Sequence, residues 1–242
     1  MQHVFLREFL ATKKPAAARS WLKTIRGLMC HAIHIGLRDD DPTQSIKLPP
    51  LKSKGIHTWT EGEIETFKAF HPSDSQARLA FSLMLFTGQR RSDVTRMGRQ
   101  HVLGNCIHVT QQKTGTKLVL PIHPELQLVL AGAATDRLTF LVTDRGAPFS
   151  QAGFGNWFRD RCDEAGLAHC SAHGLRKAAC RRLAEAGCSE KQIAAISGHL
   201  SLSEVQRYTR AADQAKLAEQ AMHSMEHGFK RHISRTRIGK PK

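Results

Sequence analysis

One stretch of this chain changes period. From Cys106 to Gln111 apolar and polar residues alternate with period two, and from Lys117 to Ile122 they do so again. Lys113-Thr114-Gly115-Thr116 lies between, so the two segments predict a single antiparallel hairpin with a glycine-containing loop. Elsewhere the readable period is helical. Thr60-Glu61-Gly62-Glu63, Ser189-Glu190-Lys191-Gln192 and Ser201-Leu202-Ser203-Glu204 are capping boxes, each announcing a helix. Apolar spacing predicts further helices over 16–36, 78–86, 173–186 and 211–227, and Gly36, Gly88, Gly187 and Gly228 stand where they stop. Ser92-Asp93 opens a short helix with Val94 and Met97, and Ser150 caps one with Phe154, Trp157 and Phe158 that ends near Gly166. The fold class that follows is mainly α with a small antiparallel β-hairpin or sheet, α+β.

The charge balance narrows the partner. Lys plus Arg is 36 against 21 for Asp plus Glu, a formal net charge of +15 in 242 residues. Such an excess points to a polyanion, most simply nucleic acid. Aromatic residues are only 6% of the chain, which argues against a surface that stacks bases on aromatic rings. Among the six cysteines, Cys30-x3-His34 and Cys170-x2-His173 are the metal-like spacings. Neither has a second well-spaced pair, so no metal and no other cofactor is expected. No apolar run reaches about 18 residues and no signal peptide is recognisable, so a soluble cytoplasmic protein with reduced thiols and no membrane partner is expected.

Leu48-Pro49-Pro50-Leu51-Lys52-Ser53-Lys54-Gly55 looks like an extended linker. It predicts a helical, basic first domain with linker over 1–56 and a second domain over 57–228. The tail 229–242 holds six Lys or Arg and no acid.

The one tyrosine of the chain, Tyr208, stands nine positions after His199. Upstream, in order, come Thr87-Gly88-Gln89-Arg90-Arg91-Ser92-Asp93, then Gln112-Lys113-Thr114-Gly115, then His173-Gly174-Leu175-Arg176, then Gly198-His199. His173 and Arg176, three apart on a helix, can converge on one ligand. Taken singly, each has an ordinary reading: Arg90 as a surface Arg paired with Asp93, Lys113 as a solvated turn residue, His199 as a helix cap. The ordered set resembles the tyrosine recombinases, the phage-integrase family, over about 19–221.

By that resemblance Arg90 is the first catalytic Arg, Lys113 the catalytic Lys, and His173 with Arg176 the H-x-x-R pair. His199 fills the position that is His or Trp in the family, and Tyr208 is the nucleophile. The implied reaction cuts and rejoins duplex DNA through a 3′-phosphotyrosine, without metal or ATP. The residue types suit it. Two guanidiniums can hold the non-bridging oxygens of a phosphorane bidentately, and each preorganised donor is worth roughly 2.7–4 kcal/mol. A tyrosine of pKa about 10 must lose its proton as it attacks, for which His173 is the candidate base. Lys113 is the candidate acid for the leaving 5′-oxygen.

The resemblance also implies a homotetramer on paired DNA sites, with the helix 211–227 as the segment that docks on a neighbour. Residues 1–10 and 16–36 correspond to about the last half of the family's helical core-binding domain, so a shortened clamp is expected. Two rivals follow: a DNA-binding relative that has lost catalysis, and a type IB topoisomerase-like enzyme. Four positions depart from the family pattern: Gly174 for Asp, Ser197 for Leu, and Arg99 and His101 for Trp and Asp. They are read as drift that leaves the chemistry intact.

Overall fold

The computed structural model describes residues 3–50, 55–134 and 136–209, with 218–219, 221–223 and 225 beyond them; at 202 and 207–209 only the backbone is described. Most of the expected helix 211–227, part of the linker and all of the tail 229–242 lie outside the described residues. The chain divides into two compact units, 1–55 and 56–242.

The first unit holds α1 (His3–Ala11) and α2 (Pro15–His34). Pro15 opens α2 because the first helical N–H needs no partner. Leu6, Leu10, Ala18, Leu22 and Ile25 face a small core, joined by Ile46. Residues 42–49 are folded back rather than extended free. Arg26 donates to the Ile46 carbonyl at 2.8 Å, Arg19 donates to the carbonyls of Leu48 and Pro49, and Thr43 is fully buried.

The second unit is built around α4 (Gln76–Thr87), which is apolar on all sides and buried nearly throughout. Around it lie α3 (Glu61–Phe70), α5 (Arg91–Val94), α6 (Pro124–Ala131), α7 (Gln151–Glu164), α8 (Ala172–Glu185), α9 (Glu190–Ser197) and α10 (Leu202–Thr209). The boxes at Thr60 and Ser189 are both formed, side chain to backbone in each direction. The hairpin expected at 106–122 is β2 (Cys106–Thr110) paired antiparallel with β3 (Lys117–Pro121), Ile107 opposite Leu120 and Val109 opposite Leu118. A two-residue strand, β1 (Val102–Leu103), extends it to a three-stranded sheet. The fold is thus mainly helical with a small antiparallel sheet. The expected helix with Val94 and Met97 is only the single turn α5, and Met97 is buried beyond it.

The segment 56–60 does more than lead into α3. Trp59 is completely buried against Phe67, Phe81 and Phe158, and its indole N–H donates to the Ser171 carbonyl at 2.9 Å. Lys177 donates to the Ile56 carbonyl at 2.6 Å, and Arg181 donates to the Trp59 carbonyl and to Glu61. The segment therefore lies along α8 as a strap. Replacing a ring as buried as Trp59 by Ala typically costs about 3–5 kcal/mol.

Candidate active site

Gly88 ends α4 in the left-handed conformation, with φ 61°. This turn, open to glycine without strain, puts Arg90 at the cap of α5. Ser171 caps α8 through the N–H of Gly174, so His173 and Arg176 fall on its first turns. The outcome is a cavity of about 480 Å³ lined by Arg90, His173 and Arg176 together with Arg91 and Arg159. Among the described residues no carboxylate lines it. Four guanidiniums around one hollow fit an anion with several acceptor oxygens.

Arg176 is 1% exposed. It donates to the Gly88 carbonyl at 2.5 Å and to the Ser197 carbonyl at 3.0 Å. Those carbonyls close α4 and α9, so a buried cation receives the negative ends of two helices. Arg176 also lies 2.9 Å from Nε2 of His199.

A guanidinium can only donate, so Nε2 of His199 accepts and the ring proton sits on Nδ1, which donates to Ser197 Oγ at 2.7 Å. The Ser197 hydroxyl in turn donates to the Ile193 carbonyl at 2.7 Å. The imidazole is neutral: burial first, then the charges of Arg176, Arg90 and His173, bring its pKa down to about 4. To donate from Nε2 to a ligand, Arg176 must leave that nitrogen and the ring must change tautomer. Ser197 can serve both tautomers because its hydroxyl donates or accepts. His173, accessible at the cavity, also has its pKa lowered. Desolvation is the main cause, followed by Arg176, Lys177, Arg90 and Arg91.

Gln111 ties these parts together. Its Oε1 accepts from Arg90 at 3.1 Å and from Thr114 at 2.8 Å, while its Nε2 donates to Gln89 at 2.6 Å and to the Ser197 carbonyl at 2.9 Å. Gln89 in turn donates to the Ile196 carbonyl at 2.7 Å. Gly198 stands against the Gln111 amide so closely that a Cβ would come within 2.3 Å of it. The Gly-His pair therefore needs its glycine for space as well as for φ 69°. Sequence reasoning did not single out Gln111. A signal existed: it continues the inward phase of Ile107 and Val109, where a polar residue demands partners.

Lys113 does not line the cavity. It is exposed on the hairpin loop, whose base is fixed by Gln111 and by Asp93, which accepts the Gln112 N–H at 2.8 Å. Asp93 thus holds the lysine loop, and Arg90 is bonded to Gln111, against the ordinary reading of Arg90 as a surface partner of Asp93. Tyr208 lies on α10, which Val205 seats against Cys180, Ala184 and Ile193; its side chain is outside the described part.

The departures read as drift have structural causes. A Cβ on Gly174 would meet the His57 carbonyl at 2.3 Å, so the strap requires glycine there. Ser197 gives the His199 Nδ1 its partner at 2.7 Å. Arg99 donates to the Ala133 carbonyl at 2.6 Å just past α6, and His101 accepts the Gly98 N–H at 3.1 Å.

The sequence model of the phage integrase family, the group named from the motif order, matches residues 60–215. An integrase of Escherichia phage HK022 is 25% identical over 216 residues, covering 84% of this chain and 60% of that one. The chain thus spans about three fifths of the curated relatives it matches first. Among solved structures, a lambda integrase dimer bound to a COC′ core site superposes with a TM-score of 0.75 at 21% identity, over 88% of this chain and 82% of that chain. A lambda integrase tetramer bound to a Holliday junction gives 0.71 at 22% identity, over 84% and 66%. These two likenesses establish a shared fold.

Proposed function

The chain belongs to the phage integrase family, and on that premise we propose that it is a site-specific recombinase that cuts and rejoins duplex DNA. Its partner would be double-stranded DNA, met in the cytoplasm. The observation that carries the reading is the meeting of Arg90, His173 and Arg176 on one cavity that no carboxylate lines among the described residues, with His199 bonded to Arg176 behind it.

In the proposed reaction the Tyr208 oxygen attacks a backbone phosphorus while His173, neutral at pH 7, takes the phenolic proton. Arg90 and Arg176 bind the two non-bridging oxygens, and His199 donates to one of them after the tautomer change. The P–O5′ bond breaks and the leaving oxygen takes a proton from Lys113. The products are a 3′-phosphotyrosine and a free 5′-hydroxyl; attack by another strand's hydroxyl reverses the step. A near-equal exchange of one phosphoester for another needs no external energy source.

Residues 1–56 would contribute the last part of a helical core-binding domain, 57–228 the catalytic domain, and 229–242 a basic contact to phosphates. The lambda integrase tetramer bound to a Holliday junction supports assembly as four protomers, with 211–227 as the proposed segment docking on a neighbour. Incubation with nicked suicide DNA substrates and a denaturing gel tests the reading. A covalent protein–DNA band is expected, absent in Tyr208→Phe. Binding without any adduct would favour a non-catalytic DNA-binding relative, and an adduct in Tyr208→Phe would overturn the nucleophile.

A further inference from the structure

The strap carries a second cluster, away from the cavity. His57, Glu63, His169 and Cys170 bring four potential ligand atoms within 4.8 Å of one another. They come from three chain segments: the strap, the first turn of α3, and the loop that leads into α8. Both imidazoles point Nε2 at the Glu63 carboxylate, His57 at 2.8 Å and His169 at 2.5 Å. The two rings meet edge to face, 4.9 Å between centroids. Cys170 is 3% exposed, while the two histidines are open to solvent.

We propose that His57, Glu63, His169 and Cys170 form a structural site for a zinc-like divalent ion, which clamps the strap to the start of α8. The donor set is two nitrogens, one oxygen and one sulfur, which suits zinc and excludes the oxygen-preferring calcium and magnesium. Four ligands at about 2.0–2.3 Å from one ion sit roughly 3.3–3.8 Å apart, so on binding the widest separation closes by about 1 Å while the two imidazoles draw back from Glu63 by somewhat less. Glu63 is already oriented: its Oε2 accepts the Thr60 N–H at 2.7 Å, and Thr60 Oγ1 accepts the Glu63 N–H. The exposed imidazoles give the ion its entry. On binding, the Cys170 thiol loses its proton to solvent as the metal–sulfur bond forms. Neither C-x-x-C nor H-x-x-x-H spacing announces such a site, because its two ligand pairs, His57 with Glu63 and His169 with Cys170, lie about a hundred residues apart in the sequence.

The position gives the ion its role. Cys170 is followed by Ser171, which caps α8 and accepts from Trp59. The His57 carbonyl rests on Gly174, between His173 and Leu175. An ion bridging His57 to Cys170 therefore fixes the turn of α8 that carries His173 and Arg176.

The test uses the full chain, stripped with a chelator and titrated with Co²⁺ and Zn²⁺. We expect one Co²⁺ to give four-coordinate visible bands with a near-ultraviolet thiolate charge-transfer band, displaced by one Zn²⁺. The charge-transfer band is lost in Cys170→Ser and kept in Cys30→Ser, with folding checked by circular dichroism. His57→Ala and His169→Ala, both at exposed side chains, each weaken Zn²⁺ by more than the roughly 10–100-fold typical of outer-shell changes. A folded chain without the thiolate band, a band that survives Cys170→Ser, or unchanged affinity in both histidine variants would overturn the proposal.

Discussion

The first turns of α8 and the tip of the β2–β3 hairpin are built by opposite means. Arg176 is buried to 1% exposure and held by the carbonyl ends of two helices. Lys113 is exposed, and only the base of its loop is fixed, through Gln111 and Asp93. The difference follows the chemistry proposed for each. Binding the charge of a phosphorane rewards donors that are already oriented and dry. Delivering a proton to a leaving oxygen rewards a donor that can move to reach it, which an amine on a flexible stem at an exposed loop can do. One half of the site is thus core, and removing it costs stability; the other half is surface.

Arg176→Ala breaks the buried side in both activity and stability. Losing one oriented donor should slow single-turnover strand cleavage by about 10²–10³-fold. It should also lower the urea midpoint, since the Gly88 carbonyl loses its Arg176 donor at roughly 1–3 kcal/mol, while the Ser197 carbonyl keeps the Gln111 amide. Normal cleavage in this variant would remove Arg176 from the phosphate site.

His199 sharpens the buried side through pH. Its folded pKa, about 4, lies below the ordinary 6.5, so on acidification the unfolded chain binds the proton first. Stability therefore falls from pH 6.5 to about 4 and levels off below, by a contribution on the order of 3 kcal/mol. Urea unfolding across that range should show the slope in the wild type and a shallower one in His199→Gln. Equal slopes would mean that His199 is not held neutral.

Gly174→Ala tests the strap over α8. The added methyl meets the His57 backbone carbonyl, which has no flexible end to give way, so the cost should be about 1–3 kcal/mol by urea unfolding. A neutral result would show that the strap is free to lift.

Local signals made the helices and the hairpin legible. The Thr60 and Ser189 boxes, the cap at Ser150 and the glycines at 88 and 198 each act within a few residues of themselves. The motif order likewise picked out Arg90, His173, Arg176 and His199 before any geometry placed them together. What stayed hidden depends on residues distant in the chain. Gly174 reads as drift until the carbonyl of His57 is seen above it. Asp93 reads as an arginine's partner until the hairpin loop is seen on it. Ser197 is an ordinary helix-end serine until His199 turns back onto it. Before Thr60 the strap carries no pattern of its own beyond Trp59, because its order comes from α8.

The contrast between the two halves is tested most directly by replacing the bridging 5′-oxygen of the cleaved phosphate with sulfur, which departs without needing a proton. Lys113→Ala should slow cleavage of the oxygen substrate by about 10²–10⁴-fold and recover most of that loss on the sulfur substrate. Arg176→Ala should remain slow on both. Rescue of both variants alike, or no rescue of Lys113→Ala, would contradict the assignment of charge binding to α8 and proton delivery to the hairpin.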